Sequence, residues 1–285
     1  MAELVDFSWI DQHENDAGLV IADSRPPVKY LQGHIPRAVN LPASRVFDKG
    51  SLELLPFERL ARIFGDVGID EDRTVLVCDD YDGQNEAMLA WTLELLGHSR
   101  VKLLSSFITR WIKENRTVSY RPTKPESRLM RTKPRGDMRA SFGEISGERV
   151  RLVDLRSRDE FEGKSAERPE SKHLSGAVSL PWTSLLGEED QLFRPESQLE
   201  TLLSETGLGR DDQIVTYCSF GPRAAVGYAA FQQLGFKNVK LYDRSFQHWA
   251  KPKGPFIGQL SPISLVGRDV TNQPLYSLRV LGAEE

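Results

Sequence analysis

Residues 75–111, VLVCDDYDGQNEAMLAWTLELLGHSRVKLLSSFITRW, return without a gap as residues 213–249, QIVTYCSFGPRAAVGYAAFQQLGFKNVKLYDRSFQHW, at an offset of 138. Nine positions are identical: Val77/Val215, Gly83/Gly221, Ala87/Ala225, Leu96/Leu234, Gly97/Gly235, Val101/Val239, Lys102/Lys240, Leu103/Leu241 and Trp111/Trp249. Self-similarity at a fixed spacing decides architecture before any single motif does. Upstream the register continues with small shifts. IADSRPPVKY (21–30) matches LVDLRSRDEF (152–161), and GHIPRAVNLP (33–42) matches KHLSGAVSLP (172–181). The shift grows from 131 to 139, so the second copy carries eight extra residues near GKSAERPES (163–171).

Each copy alternates strand and helix signals. A short apolar run ends in Asp (Leu19 to Asp23, Val150 to Asp154), and a second short strand (Ala38 to Leu41, Ala177 to Leu180) is closed by Pro42 or Pro181. Proline ends a strand because it has no N–H for the ladder. FERLARIFGDVG (57–68) and ESQLETLLSETG (196–207) place apolar residues three and four apart and finish on Gly, a helix with a C-terminal cap. Then come the strands TVLVC and QIVTY, a glycine-containing loop, a helix ending at Leu96-Gly97 or Leu234-Gly235, and a last strand, Val101 to Leu104 or Val239 to Tyr242. This alternation predicts an α/β fold: two copies, each a parallel sheet with helices on both faces. Ser119 to Asp137, with Pro122, Pro125 and Pro134 and no periodicity, reads as a linker. The expected division is 1–118, linker 119–137, 138–251, and a tail 252–285 that matches neither copy.

The chain has 285 residues, about twice an ordinary domain, with 39% hydrophobic and 27% charged residues, which excludes collagen, coiled coil and wholesale disorder. A net charge of −4 gives no global reason to expect nucleic acid or an anionic membrane. The N-terminus carries acids where a signal peptide needs a basic region, and no apolar run is long enough to span a bilayer, so a cytoplasmic location is expected. With two cysteines, Cys78 and Cys218, neither a disulfide framework nor a four-cysteine zinc site is available. There is no P-loop, GxGxxG or Cys/His cluster, and no cofactor or metal is expected.

The chemistry concentrates after QIVTY. Cys218 is followed by Ser219-Phe220-Gly221-Pro222-Arg223 and then by the small-residue run AAVGYAA. Strand, loop, helix is the arrangement in which a helix N-terminus offers unpaired N–H groups at the carboxyl edge of a parallel sheet. A thiol there is set up as a nucleophile, because those donors and Arg223 favour negative charge on sulfur. Cys78 lies within a strand and is expected to be buried and inert.

Together, GHIPRAVNLP and KHLSGAVSLP, the loop CSFGPRA and the closing YDRSFQHW resemble the signatures of the rhodanese-type sulfurtransferases, specifically those with two tandem domains. The resemblance implies that Cys218 accepts a sulfane sulfur from an anionic donor, thiosulfate or 3-mercaptopyruvate, becomes a persulfide, and passes the sulfur to cyanide or a thiol; thiosulfate is favoured because Arg223 keeps a positive charge in the loop. A thioredoxin-like reductant is a further partner it suggests. It also implies that the second-copy insertion supplies cations for the donor, with Arg168 the candidate among Lys164, Arg168 and Lys172. Two departures stand out. Tandem members commonly carry Arg where this chain has Glu160, and the loop's only cation is Arg223.

At the offset of 138, Cys218 falls on Asp80 and Arg223 on Asn85, so the first copy lacks nucleophile and cation and should be catalytically silent. Asp23, Arg25, Asp154 and Arg156 read as structural groups at strand ends, and His34, His173, Trp111 and Trp249 as scaffold, because both copies have them. Two other readings remain open. A Cys-dependent phosphatase also uses Cys and Arg around an anion, but with five residues between them where this loop has four. A non-catalytic binding module of the same fold usually loses the nucleophile that this copy keeps.

Overall fold

The computed structural model describes residues 2–80, 82–147, 149–165 and 173–249, the last without its side chain. In the first copy the elements are β1 (Glu3–Val5), α1 (Phe7–His13), β2 (Leu19–Asp23), α2 (Pro27–Leu31), β3 (Val39–Asn40), α3 (Phe57–Asp66), β4 (Thr74–Cys78), α4 (Gln84–Leu95), β5 (Val101–Leu104) and α5 (Ile108–Lys113). The second has α6 (Phe142–Ile145), β6 (Arg151–Asp154), α7 (Arg158–Glu162), β7 (Val178–Ser179), α8 (Glu196–Ser204), β8 (Ile214–Tyr217), α9 (Pro222–Gln233), β9 (Val239–Leu241) and α10 (Ser245–Trp249). Both sheets are wholly parallel, ordered β1-β5-β4-β2-β3 and β7-β6-β8-β9. The expected α/β repeat is present. β1 carries too few residues for a periodic signal, and its counterpart is reduced to a single parallel bridge, Arg139 with Leu241.

Side-chain alternation along the central strands assigns the two faces of each sheet. Val75 and Val77 of β4 join Leu60 and Phe64 of α3 and the buried face of α4, whereas Leu76 and Cys78 pack with Phe7, Tyr30, Ile108 and Trp111 from α1, α2 and α5. In the second copy Ile214 faces α8 and α9, while Val215 and Tyr217 face α6 and α10. The helix α9 is built for close approach. A Cβ at Gly227 would stand 2.7 Å from the side chain of Leu155. The buried faces of α4 and α9 belong to one apolar cluster, so the two copies share a core.

The segment 119–137 has no strand or α-helix but is not slack. Arg128 N donates to Gly65 O at 2.9 Å, Lys133 N to Leu96 O and Arg135 N to Leu95 O at 2.8 Å each, and Thr123 N to the Tyr30 hydroxyl at 3.0 Å. Gly97, where the sequence predicts a helix to end, has φ +94°, and a Cβ there would collide with Lys133 O. The same glycine thus ends the helix and admits the passing chain. Residues 252–285, set apart above as a tail, lie outside the described residues.

Candidate active site

The strand β8 delivers Cys218 to the carboxyl edge of its sheet, and the surrounding chain holds it there. Leu155 N donates to Tyr217 O at 2.9 Å and Phe246 N to Cys218 O at 3.0 Å. Cys218 N donates to the Ser245 hydroxyl at 3.2 Å, and that hydroxyl donates to Tyr242 O at 2.7 Å. Ser245 has φ +52°, an uncommon conformation for a residue with a Cβ. Its role in the site was not read from the sequence, because a serine inside YDRSFQHW has nothing to set it apart until the fold brings it under Cys218.

The turn from Cys218 into α9 closes tightly. Gly221 has φ +123°, and its amide donates to Cys218 Sγ at 3.1 Å. Pro222 opens α9, at the position where a missing N–H costs nothing, and the free first-turn amides of this 12-residue helix lie beside the loop. Cys218, Ser219, Gly221 and Pro222 are buried, and Phe220 is half-buried. Met88 of α4 packs 3.6 Å from the Cβ position of Gly221, so the first copy supports the second copy's loop.

Arg223 is not the free cation its place in the loop suggested. It forms a two-point ion pair with Glu160 of α7, Nη1 to Oε2 at 2.6 Å and Nη2 to Oε1 at 3.0 Å, and Nη2 also donates to Ser219 Oγ at 2.7 Å. Ser219 Oγ in turn donates to Glu160 Oε1 at 3.2 Å. Burial by itself raises the Glu160 carboxyl, but the Arg223 pair and the amide and hydroxyl of Ser157 outweigh it and push it down to about 2. Burial would lower the Arg223 guanidinium, but Glu160 and the nearby Cys218 hold it above its ordinary value.

The first copy's loop differs in length as well as composition. Asp23 of β2 pairs with Cys78, and its counterpart Asp154 of β6 pairs with Tyr217. Ser24 N donates to Cys78 O as Leu155 N does to Tyr217 O, and Ile108 N to Asp79 O as Phe246 N does to Cys218 O. Cys218 therefore corresponds to Asp79, not Asp80, and Cys78 to Tyr217, not Thr216. A gapless alignment slips by one residue in the strand, and a one-residue slip moves every side chain to the opposite face. The helices still align at Gly83 and Gly221, so the first loop holds one extra residue.

That loop is acidic. Asp79, buried, accepts from Asn85 N and Asn85 Nδ2 at 3.2 Å each, while Asp80 accepts from Thr109 N at 3.0 Å and from the Thr109 hydroxyl, and meets Arg25 Nη1 at 3.3 Å. Burial, then the neighbouring Asp82, pushes the Asp79 carboxyl up to about 8. Glu86 is fully buried, neither of its oxygens has a partner, and burial followed by Asp79 and Asp82 raises its carboxyl well above the ordinary range. Cys78 is buried with its Sγ 3.6 Å from Ala22 O, and burial raises its thiol.

The paired scaffold groups behave alike in both copies. Asp23 and Asp154 each accept the amide and guanidinium of Arg25 or Arg156 and are fully buried. His34 stacks on Tyr30 and His173 on Phe161, each with ring centroids 3.7 Å apart, and Nδ1 of each meets the main-chain oxygen of that aromatic. Trp111 is buried, whereas the Trp249 side chain lies outside the described residues. So do Arg168 and Lys172, while Lys164 is largely exposed and pairs with Glu162 at 2.6 Å. Among the described residues no cluster of His, Cys, Asp or Glu has the arrangement to hold a metal ion, and no helix is long and apolar enough to cross a membrane.

The family model "Rhodanese-like domain" matches this chain twice, over residues 6–114 and 143–252. A putative thiosulfate sulfurtransferase of Saccharopolyspora erythraea is 30% identical over 270 residues, covering 88% of this chain and 94% of that protein. A thiosulfate sulfurtransferase of Corynebacterium glutamicum is 31% identical over 264 residues, covering 86% and 87%. Among solved structures, the 3-mercaptopyruvate sulfotransferase SseA of Escherichia coli superposes with a TM-score of 0.76 at 23% identity, over 87% of this chain and all of that one, a likeness of fold.

Proposed function

The chain belongs to the rhodanese family as a tandem-domain sulfurtransferase, and we propose that Cys218 is its single nucleophile and thiosulfate its favoured donor. The observation that carries this reading is the Gly221 amide aimed at Cys218 Sγ at the head of α9. An N–H donor and the free first-turn amides stabilise negative charge on sulfur without needing a charged side chain. The Cys218 thiolate attacks the outer sulfur of thiosulfate. A Cys218 Sγ–S bond forms, the S–S bond of the donor breaks, and sulfite leaves with the electron pair. A thiophilic acceptor, cyanide or a thiolate, then attacks the outer sulfur and the Cys218 thiolate departs. The same loop amides serve both steps, because the charge returns to nearly the same place.

Thiosulfate is favoured because the similar proteins of S. erythraea and C. glutamicum are named for it; 3-mercaptopyruvate is the second donor to test. Ser219 to Arg223 form the loop that holds the persulfide, and Arg168 meets the anionic part of the donor. The reading places the enzyme in the cytoplasm with a small-molecule donor and acceptor, and a thioredoxin-like reductant as one route for discharge. Exposure to thiosulfate followed by peptide mass spectrometry tests it. The expected result is one added sulfur atom on the peptide holding Cys218 and none on that holding Cys78. A protein that stays unmodified with both donors overturns the reading.

A further inference from the structure

The Glu160 carboxylate stands where it changes what Arg223 offers an incoming anion. Arg223 occupies the second position of α9, and two of its nitrogens are bound to Glu160, one of them also to Ser219. The two side chains keep only 18% and 22% of their exposure, so the pair is largely withdrawn from water and its charges act on each other with little screening. Glu160 is itself fixed, since it also accepts from Ser157 N and Ser157 Oγ at 3.0 Å each as the acid of the capping box of α7. Arg223 and Glu160 thus cancel each other's charge at the loop, and among the described residues of the loop itself it is the main-chain amides that face a donor.

We infer that Glu160 sets the charge selectivity of the Cys218 site, holding Arg223 in a neutral pair so that the loop does not favour a dianionic donor over a monoanionic one. This rests on the proposed sulfurtransferase reading. Glu160 is a positioning residue, acting through Arg223 and through the repulsion its own charge exerts. Glu160→Gln keeps an acceptor for Ser157 and the shape of the pair while removing the charge.

The test compares kcat and KM of the full-length wild type, E160Q and E160D for thiosulfate, a dianion, and mercaptopyruvate, a monoanion, at low and high salt. Coulomb energy scales with ligand charge, so E160Q is expected to raise kcat/KM about tenfold for thiosulfate and roughly threefold for mercaptopyruvate. The gain should lie mainly in KM and shrink in high salt. E160D, which keeps the charge, returns the ratio between donors towards wild type. Equal losses with both donors, or a gain that ignores donor charge, overturn the inference while leaving the enzyme reading intact. A wild type that loads from neither donor overturns both, seen as an unmodified Cys218.

Discussion

Two loops built on the same strand–helix frame meet opposite charge problems. In the second copy a thiol faces the Gly221 amide, with the Arg223 cation neutralised by Glu160 across the loop. In the first, Asp79 takes the thiol's place and Asn85 that of Arg223, and Asp80, Asp82 and Glu86 crowd the same turn. The rim is exchanged too, since Lys29 stands in the sequence position of Glu160. In the first copy the Asn85 amide is already taken by the Asp79 carboxyl, and the extra residue lengthens the path from the strand to Gly83. The frame is retained because α4 supports α9, through contacts such as Met88 on Gly221.

The largest effect that tests this contrast is Cys218→Ser, expected to lower sulfur transfer by on the order of a thousandfold or more with the unfolding midpoint unchanged, as removal of a covalent nucleophile does. Adding Asp79→Cys to that variant should restore no measurable transfer in a steady-state assay, because the new thiol is surrounded by carboxylates in a longer loop. Recovery of activity there would mean that the two loops differ only in their nucleophile.

The frame itself breaks at the buried pairs. Asp154→Ala removes the carboxylate that Arg156 grips with its amide and guanidinium and should cost about 3 kcal/mol in denaturant unfolding. Asp23→Ala should cost less, because Arg25 keeps Asp80 at 3.3 Å and Gly33 O at 2.8 Å. An equal cost would show that the Asp80 contact adds nothing to the first scaffold.

A smaller effect separates the loops by pH. The folded Asp79 carboxyl titrates near 8 and an unfolded one near 3.8, so between those values the folded state holds a proton that the unfolded state has lost. Stability from this group is present below about pH 4 and falls as pH rises towards 8, by on the order of a few kcal/mol. Asp79→Asn should flatten that decline in urea midpoints measured at pH 5 and pH 8. Smallest of all, Cys78→Ser should leave kcat/KM unchanged and lower stability by about 1 kcal/mol, the cost of a hydroxyl in an apolar site.

Much of this was legible in the order of residues. The repeat, the strand–helix alternation and the Cys-to-Arg loop all rest on local spacing, and local spacing is what a chain displays before it folds. The gapless offset misplaced the partner of Cys218 by one residue. Loops accommodate an insertion without disturbing the glycine that follows, and the chance match Val77/Val215 before the loop, with eight identities from Gly83 onward, concealed it. Arg223 was visible as the loop's cation and Glu160 as an unusual acid, yet nothing in a linear chain says that residues 63 positions apart close an ion pair. Ser245 was hidden for the same reason, 27 residues from the amide it receives.

By itself the sequence determined that there are two copies of one fold, one thiol at the head of a helix, and an acid where the other copy needs a thiol, because period and residue type are local properties. Only the tertiary structure decided the register that matches Asp79 to Cys218 and the pairing that cancels the charge of Arg223. Those depend on ladder hydrogen bonds and side-chain contacts between distant segments, which exist only once the sheet has closed.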